Sequence, residues 1–343
     1  MSYKQILDDA WAAHLAPREK NAPTVVSTFA GCGGSSLGYS MAGYRELLAV
    51  EWDDNAVETF KLNFPGVPVY HGDINKLSVD ECLRLSGVKP GELDVFDGSP
   101  PCQGFGTAGS RNFEDDRNQL FRQYVRLLRG LQPKAFVMEN VSGMVKGKMK
   151  LIFADCLKEL KNSGYRVRAR LLNAMYFNVP QSRQRIIFVG VRNDLRIEPQ
   201  YPIAICSPLS AGSVIEDVVN DPDEIKWLLD AGLKYVAYQS WPDLKTGQGR
   251  DDLGLSGFNC TKWDPCRPAQ TVRKNDGKIH MHGGMHWSER RRFTVAEFKR
   301  FASFPDQFQF AGGYKAVERI GNSVPPLFMR AIATHLRTIL ATS

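Results

Sequence analysis

What most constrains this chain is a repeated alternation: from Thr24 onward, a short apolar, β-branched run is followed by a loop and then by a helix-like segment. The runs are Val25 to Phe29, Leu47 to Val50, Val67 to Tyr70, Leu93 to Phe96, Ala135 to Met138 and Ile186 to Val191. Strands that alternate with helices are joined by crossovers, and crossovers place helices over both faces of a parallel sheet. Residues 1–190 therefore read as a doubly wound α/β domain. With 43% of 343 residues hydrophobic, the chain can build a sizeable core.

In open sheets of this kind, ligands bind beyond the carboxyl ends of the strands. Gly31-Cys32-Gly33-Gly34 follows the first run, Glu51-Trp52-Asp53 the second and Gly72-Asp73 the third. Gly98-Ser99-Pro100-Pro101-Cys102-Gln103 follows the fourth and Glu139-Asn140 the fifth. Glycines, carboxylates and one cysteine are thus sorted to one rim. A glycine loop between strand and helix lets a ligand approach the backbone closely, but the third glycine of a dinucleotide fingerprint is replaced by Ser36. Glu51, twenty residues beyond Gly31, stands where an acid meets ribose hydroxyls, and Asp73 offers an acceptor for a base amine. An adenosine-containing ligand without a pyrophosphate fits these features, and S-adenosylmethionine is one. Cys102 follows two prolines that fix the backbone, while Gly98, Gly104, Gly106 and Gly109 leave the surrounding chain free to close over a substrate. A cysteine in such a loop can serve as a nucleophile.

Seven cysteines without regular spacing argue for reduced thiols and a cytoplasmic protein, and no run approaches the length of a membrane helix. The net charge of +7 is unevenly spread. Arg267 to Arg300 holds nine basic and three acidic residues, whereas Gly212 to Gly257 holds nine acidic and four basic. The basic stretch is the best candidate for phosphate contacts. Tyr3 to Leu15 reads as a short amphipathic helix, an appendage closed by Pro17. From about Arg192 the strand and helix pattern weakens and a smaller domain begins. The division expected is 1–190 plus 320–343 for the first domain and 191–319 for the second, with the C-terminal helix rejoining the first. His280, His282 and His286 lie near Cys260 and Cys266, but their spacing fits no common zinc pattern, and no metal site is assigned.

In order along nearly the whole chain, these segments resemble the DNA (cytosine-5)-methyltransferases of bacterial type. Phe29-Ala30-Gly31-x-Gly33-Gly34 is similar to the family's cofactor loop, and Glu51-Trp52 and Gly72-Asp73-Ile74 to its next two cofactor contacts. Gly98 to Gly106 resembles the nucleophile loop, Met138-Glu139-Asn140-Val141 the strand bearing the catalytic acid, and Gln181-Ser182-Arg183-Gln184-Arg185 the arginine motif. Phe304-Pro305-Asp306, Arg267 to Val272 and Gly321 to Pro326 match later motifs. The resemblance implies a Rossmann-like methyltransferase domain using S-adenosylmethionine, with a smaller target-recognition domain.

It also implies residue roles. Cys102 is the nucleophile at cytosine carbon 6, Glu139, held by Asn140, meets N3, Arg185 meets O2, and Arg183 lies next to the nucleophile. Phe29, Gly31, Gly33, Gly34, Glu51, Trp52, Asp73, Ile74, Pro100, Leu120, Asn322 and Val324 form the cofactor set. Gln103, Arg117, Thr271 and Arg273 form the DNA set. The implied enzyme acts on duplex DNA as a monomer, flips its target base, and belongs to a restriction-modification system with a separate endonuclease or stands alone. The chain departs from the family at Ser27, where an Asp is usual, and at Gly106, where a Ser is common; the first puts one cofactor-side hydrogen bond in question. A tRNA cytosine methyltransferase and a catalytically silent DNA-binding relative are the alternatives. The second is disfavoured because Cys102, Glu139 and Arg185 are all present.

Overall fold

The structure, a computed structural model, describes residues 1–101, 116–147, 149–255, 260–280 and 283–341. In chain order the elements are α1 (Tyr3–Leu15), β1 (Thr24–Thr28), α2 (Gly34–Met41), β2 (Arg45–Glu51), α3 (Asp54–Asn63), β3 (Val69–His71), α4 (Val79–Ser86), β4 (Val95–Gly98) and α5 (Asp116–Leu131). They continue with β5 (Ala135–Val141), α6 (Met149–Asn162), β6 (Tyr165–Asn173), β7 (Gln184–Arg192), α7 (Pro222–Lys234), β8 (Thr261–Lys262), β9 (Gly284–Met285), α8 (Val295–Phe301), α9 (Ala316–Asn322) and α10 (Pro326–Leu340).

The chain divides into two compact units. The sheet unit is Ala13–Leu172, Gln184–Ile203 and Met329–Ser343; the second unit is Met1–Ala12, Asn173–Arg183 and Ala204–Phe328. This division departs from the boundaries read in the sequence. Residues 1–12, 173–183 and 320–328 group with the second unit, and 191–203 stays with the sheet. Local bonding explains part of this: Ser182 and Ala269 exchange contacts through Ser182 N–H to Ala269 O at 2.8 Å, and β7 carries the sheet as far as Arg192.

The sheet has seven strands in the order β3-β2-β1-β4-β5-β7-β6. Neighbouring pairs from β3 to β5 are parallel, as alternation with helices demands. β1 is buried at all five positions and β4 at all four, consistent with helices over both faces. Its apolar core joins Val26, Leu48, Phe96, Tyr124, Leu128, Phe136 and Phe188, with the Tyr124 ring stacked 4.8 Å from Phe96. Helix starts are marked in the sequence: Asp53 accepts from Ala56 N–H to cap α3, and Ser78 accepts from Glu81 N–H to cap α4.

Two expectations are corrected here. The sheet is not wholly parallel, because β7 runs antiparallel to β5, and β6 is a strand that the apolar runs did not reveal. β6 lies at the sheet edge and alternates Arg166, Arg168 and Arg170 with Tyr165, Val167 and Ala169, a pattern suited to an edge and invisible to a search for apolar runs. Nor is α1 an appendage. Tyr3, Leu7 and Ala10 are buried, and the Tyr3 hydroxyl donates to Arg300 O at 3.2 Å within the second unit.

The second unit is built largely from turns around aromatic side chains. Trp263, Phe293, Phe298 and Phe301 pack with ring centroids 4.8 to 6.5 Å apart. Thr294 and Glu297 form a capping box at the start of α8. Among the described residues, no helix is long and apolar enough to cross a membrane.

Candidate active site

The loop after β1 holds an unusual backbone. Phe29, Gly31 and Gly33 all have positive φ, and Gly33, at +96°, is the residue from which α2 departs. A Cβ on Gly33 would lie 2.5 Å from the Phe64 ring, so glycine is required there twice over. The loop is pinned from β2. Gly31 N–H donates to Glu51 Oε2 at 2.8 Å, while Trp52 N–H and Asp53 N–H donate to Glu51 Oε1 at 2.9 and 3.0 Å.

Beside this loop is a cavity of about 280 Å³, lined by Phe29, Val50, Glu51, Trp52, Gly72, Asp73, Ile74, Pro101 and Leu120. It is at the small end of ligand pockets, which run roughly 300–1,000 Å³. The lining is an apolar slot with two carboxylates at its edge, and Trp52 is 75% exposed. Asp73 turns one oxygen toward Asn75, accepting from its N–H and from Nδ2. A carboxylate offers about four acceptor positions, so Glu51, with three backbone donors, can accept one more. Phe29, Glu51, Trp52, Asp73, Ile74 and Leu120 are sequence candidates, and Gly72 belongs to the Gly72-Asp73-Ile74 motif; Val50 and Pro101 are not among them. Pro101 lines the cavity, while Pro100 presents its carbonyl to Asn140. Val50 carries no sign of a site in the sequence, since it is an ordinary apolar residue of β2. Gly34 starts α2, and Asn322 and Val324 belong to the second unit.

The end of β5 holds the second group. The Arg185 guanidinium Nε lies 2.6 Å from Glu139 Oε1, each side chain being 13% exposed. Antiparallel pairing makes this contact. Glu139 is opposite Ile187 and Val141 opposite Arg185, so Glu139 and Arg185 are diagonal neighbours on one face. β7 runs backward, and its first residues therefore meet the last residues of β5, on the rim where the parallel strands end. Asn140 is buried; its Nδ2 donates to Pro100 O at 3.0 Å, and its Oδ1 accepts from Val141 N–H. It thus secures the chain entering the Cys102 loop, whereas the partner that grips Glu139 is Arg185. Gly98 sits just before that loop; a Cβ there would meet Thr28 Oγ1 at 2.4 Å and Tyr124 at 2.7 Å. Cys102 and Gln103 lie outside the described residues, as does the Arg117 side chain.

Arg183 is expected beside the nucleophile, but its guanidinium is buried and faces backbone in its own unit. Nη1 donates to Val272 O at 2.8 Å, and Nη2 to Gly321 O and Ser323 O at 2.9 Å each. Thr271 Oγ1 donates to Ser182 O at 2.7 Å. Gln181, which was not among the candidates, accepts from Val272 N–H and donates to Phe301 O. These bonds bind 181–183, 271–272 and 321–323 into one body.

The basic stretch from Arg267 to Arg300 is corrected most strongly. Arg291 is bidentate to Glu297 at 2.8 and 2.9 Å, Arg292 donates to Tyr238 Oη and lies 3.6 Å from Asp276, and Arg300 is held by Asp217 and Asp306. All three are buried, so they cannot reach phosphates. Arg267 and Arg273 remain exposed, with side chains 82% and 55% accessible. His286 is also buried, stacked 4.5 Å from Trp287, and burial lowers its pKa to about 4. His282 lies outside the described residues.

Residues 24–338 match the family model for C-5 cytosine-specific DNA methylases. The chain is 34% identical to the type II methyltransferase M1.HphI of Haemophilus parahaemolyticus, over 90% of this chain and 85% of that protein. It is 31% identical to M.XorII of Xanthomonas oryzae, over 93% and 85%. Among solved structures, a protein described as a DNA modification methyltransferase encoded within an E. coli prophage superposes with a TM-score of 0.73 at 23% identity, covering 93% of this chain and all of that one. That likeness concerns the fold. With the family match spanning nearly the whole sequence, this chain belongs to the C-5 cytosine-specific DNA methylases.

Proposed function

We propose that the protein methylates carbon 5 of a cytosine flipped out of duplex DNA, with Cys102 as nucleophile and S-adenosylmethionine as methyl donor. The observation that supports this best is the Glu139–Arg185 pair, held at the same strand-end rim as the cavity beside the glycine loop. The cavity suits the adenosine part of the donor: apolar Phe29, Ile74 and Leu120 can cover a base, while Glu51 and Asp73 can accept from hydroxyl and amine. When bound, S-adenosylmethionine supplies an electrophilic methyl group.

The chain's own residues do the remaining work. Cytosine carbon 5 is a weak nucleophile until a thiolate adds to carbon 6, and Cys102 comes two residues after Pro100, whose carbonyl Asn140 holds. As the Cys102 sulfur adds, negative charge moves onto the ring toward N3 and O2. The Glu139 carboxyl is the group that meets N3, protonating or hydrogen-bonding it, and Arg185 donates to O2, so the pair stands ready for that charge before the base arrives. Carbon 5, now enamine-like, takes the methyl group as the methyl–sulfur bond of the donor breaks to leave a neutral thioether. Solvent water then accepts the carbon 5 proton, the carbon 6–sulfur bond breaks to release the Cys102 thiolate, and Glu139 takes back any proton given to N3, which restores the aromatic ring. Flipping costs a few kcal/mol in pairing and stacking. Arg267 and Arg273, with Gln103, Arg117 and Thr271, are the residues assigned to the DNA side. We place the enzyme in the cytoplasm, as a monomer serving a restriction-modification system or acting alone.

The test is transfer of labelled methyl from S-adenosylmethionine to duplex DNA. Wild type is expected to label cytosine carbon 5 and to form a covalent adduct with DNA carrying 5-fluorocytosine; Cys102→Ser is expected to do neither. Robust transfer by Cys102→Ser, or transfer to tRNA alone, overturns the proposal.

A further inference from the structure

We propose that Glu46 is a positioning residue for the cofactor loop, its carboxyl bracing the first turn of α2 through Ser27 and Ser36 from the strand beneath. The inference rests on the reading that this loop serves S-adenosylmethionine. Register sets the geometry. Val25 pairs with Glu46, but the next pair is Val26 with Leu48, so β2 carries one extra residue at this point. Successive side chains alternate between faces. Glu46 therefore shares the face of Val25 and Ser27, and Asp97, opposite Ser27 on β4, shares it from the other side.

α2 lies over this row. Ser36 Oγ is 3.5 Å from Ser27 Oγ, the Tyr39 hydroxyl donates to Asp97 Oδ1 at 3.2 Å, and Ser35 also bonds Asp97. The Glu46 carboxyl is beside the Ser27 and Ser36 hydroxyls, yet both its oxygens are buried without a well-aligned hydrogen bond. A buried carboxyl this poorly satisfied is expensive unless it is neutral or supports something. What it adjoins is the turn that begins at Gly33, directly after the loop bonded to Glu51. Position 27, where the resemblance leads one to expect an acid, holds only a hydroxyl, and Glu46 brings a carboxyl to it from the neighbouring strand.

Burial raises the Glu46 pKa to about 8, with the Asp97 charge adding to the effect; burial likewise raises Asp97 to about 7, with Glu139 of β5 adding. The titratable groups facing the cluster are thus Asp97 and Tyr39, with Glu139 and Tyr124 beyond Asp97. At neutral pH a protonated Glu46 can donate to a serine hydroxyl. Once ionised it faces Asp97 as a like charge under the loop, and the first turn of α2 loses its brace.

The experiment measures S-adenosylmethionine affinity of the full chain by calorimetry from about pH 6.5 to 9, with each variant checked by circular dichroism to be folded. Wild type is expected to weaken about tenfold above pH 8, the change falling on KM rather than kcat. Glu46→Gln, whose amide N–H can donate in place of the acid's O–H and which cannot ionise, is expected to hold its affinity flat across that range. Glu46→Ala is expected to bind about tenfold more weakly at every pH and to be rescued by adding Ser27→Asp. If Glu46→Gln follows the wild-type curve, or Glu46→Ala binds as wild type, Glu46 has no such role. If wild type binds no S-adenosylmethionine at any pH, the cofactor reading itself fails.

Discussion

Two arginine–glutamate pairs in this protein have opposite settings. Arg185 and Glu139, in the sheet unit, stand at the strand-end rim with 13% of each side chain exposed. Arg291 and Glu297, in the second unit, are sealed to 3% each and share their environment with the α8 capping box. The first pair keeps part of each side chain open to solvent. In the second, Arg291 also contacts Glu289 and the Arg292 carbonyl, and Glu297 also accepts from Thr294 N–H, so its polar groups are already matched internally. A local excess of arginine in the sequence is therefore no measure of what a DNA phosphate would meet. What decides is whether the fold supplies a carboxylate to cancel it.

This contrast can be broken by substitution. The largest effect is expected at the rim: Glu139→Gln and Arg185→Ala should each lower single-turnover methyl transfer by about 10²- to 10⁴-fold. Their melting temperatures should stay close to wild type, since a partly solvated pair contributes little to folding. A large loss of stability with preserved transfer by the folded fraction would make the rim pair structural and erase the distinction. The reverse is expected in the second unit. Arg291→Ala leaves Glu297 buried and uncompensated, at a cost of about 3–5 kcal/mol in denaturant unfolding, and Arg291→Met combined with Glu297→Leu should recover most of it. Were Arg291→Ala to unfold like wild type and lose only DNA affinity, the buried pair would have to be reassigned to the DNA side.

The same contrast explains what could be read from the chain. The rim was legible because glycines and carboxylates follow apolar runs, and parallel strands carry all such residues to one edge; Phe29, Glu51 and Asp73 line the cavity for that reason. The pairing of Glu139 with Arg185 was not legible, because it depends on β7 running antiparallel, and hydrophobic pattern carries no direction. β6 escaped because its arginines interrupt the apolar run that marks a buried strand. Glu46 escaped because its burial follows from one extra residue in β2, a register event without a compositional mark. In the second unit the acidic stretch holding Asp217 lies far in number from Arg300, 83 positions away, and only folding brings that carboxylate to its arginine.

The smallest effect tests what remains of the basic stretch. With Arg291, Arg292 and Arg300 internally paired, Lys274, Lys278, Arg267 and Arg273 carry the exposed charge; Lys274 lies 2.9 Å from Glu318, and the two arginines are held less closely. Their nearest carboxylates, Asp264 at 3.5 Å and Asp276 at 3.9 Å, hold them loosely. An exposed, weakly paired guanidinium gives up little to meet a phosphate, and each phosphate neutralised releases about one counterion. Arg267→Ala and Arg273→Ala are thus each expected to reduce the slope of log affinity for duplex DNA against log salt by about one, with unfolding free energy moved by less than about 0.5 kcal/mol. The Arg291→Met, Glu297→Leu double variant should leave that slope unchanged, since it removes a charge that no phosphate meets. Fluorescence anisotropy titrations at several salt concentrations measure all three. An unchanged slope in both exposed variants, beside a reduced slope in the buried double variant, would reverse the assignment of which arginines face DNA.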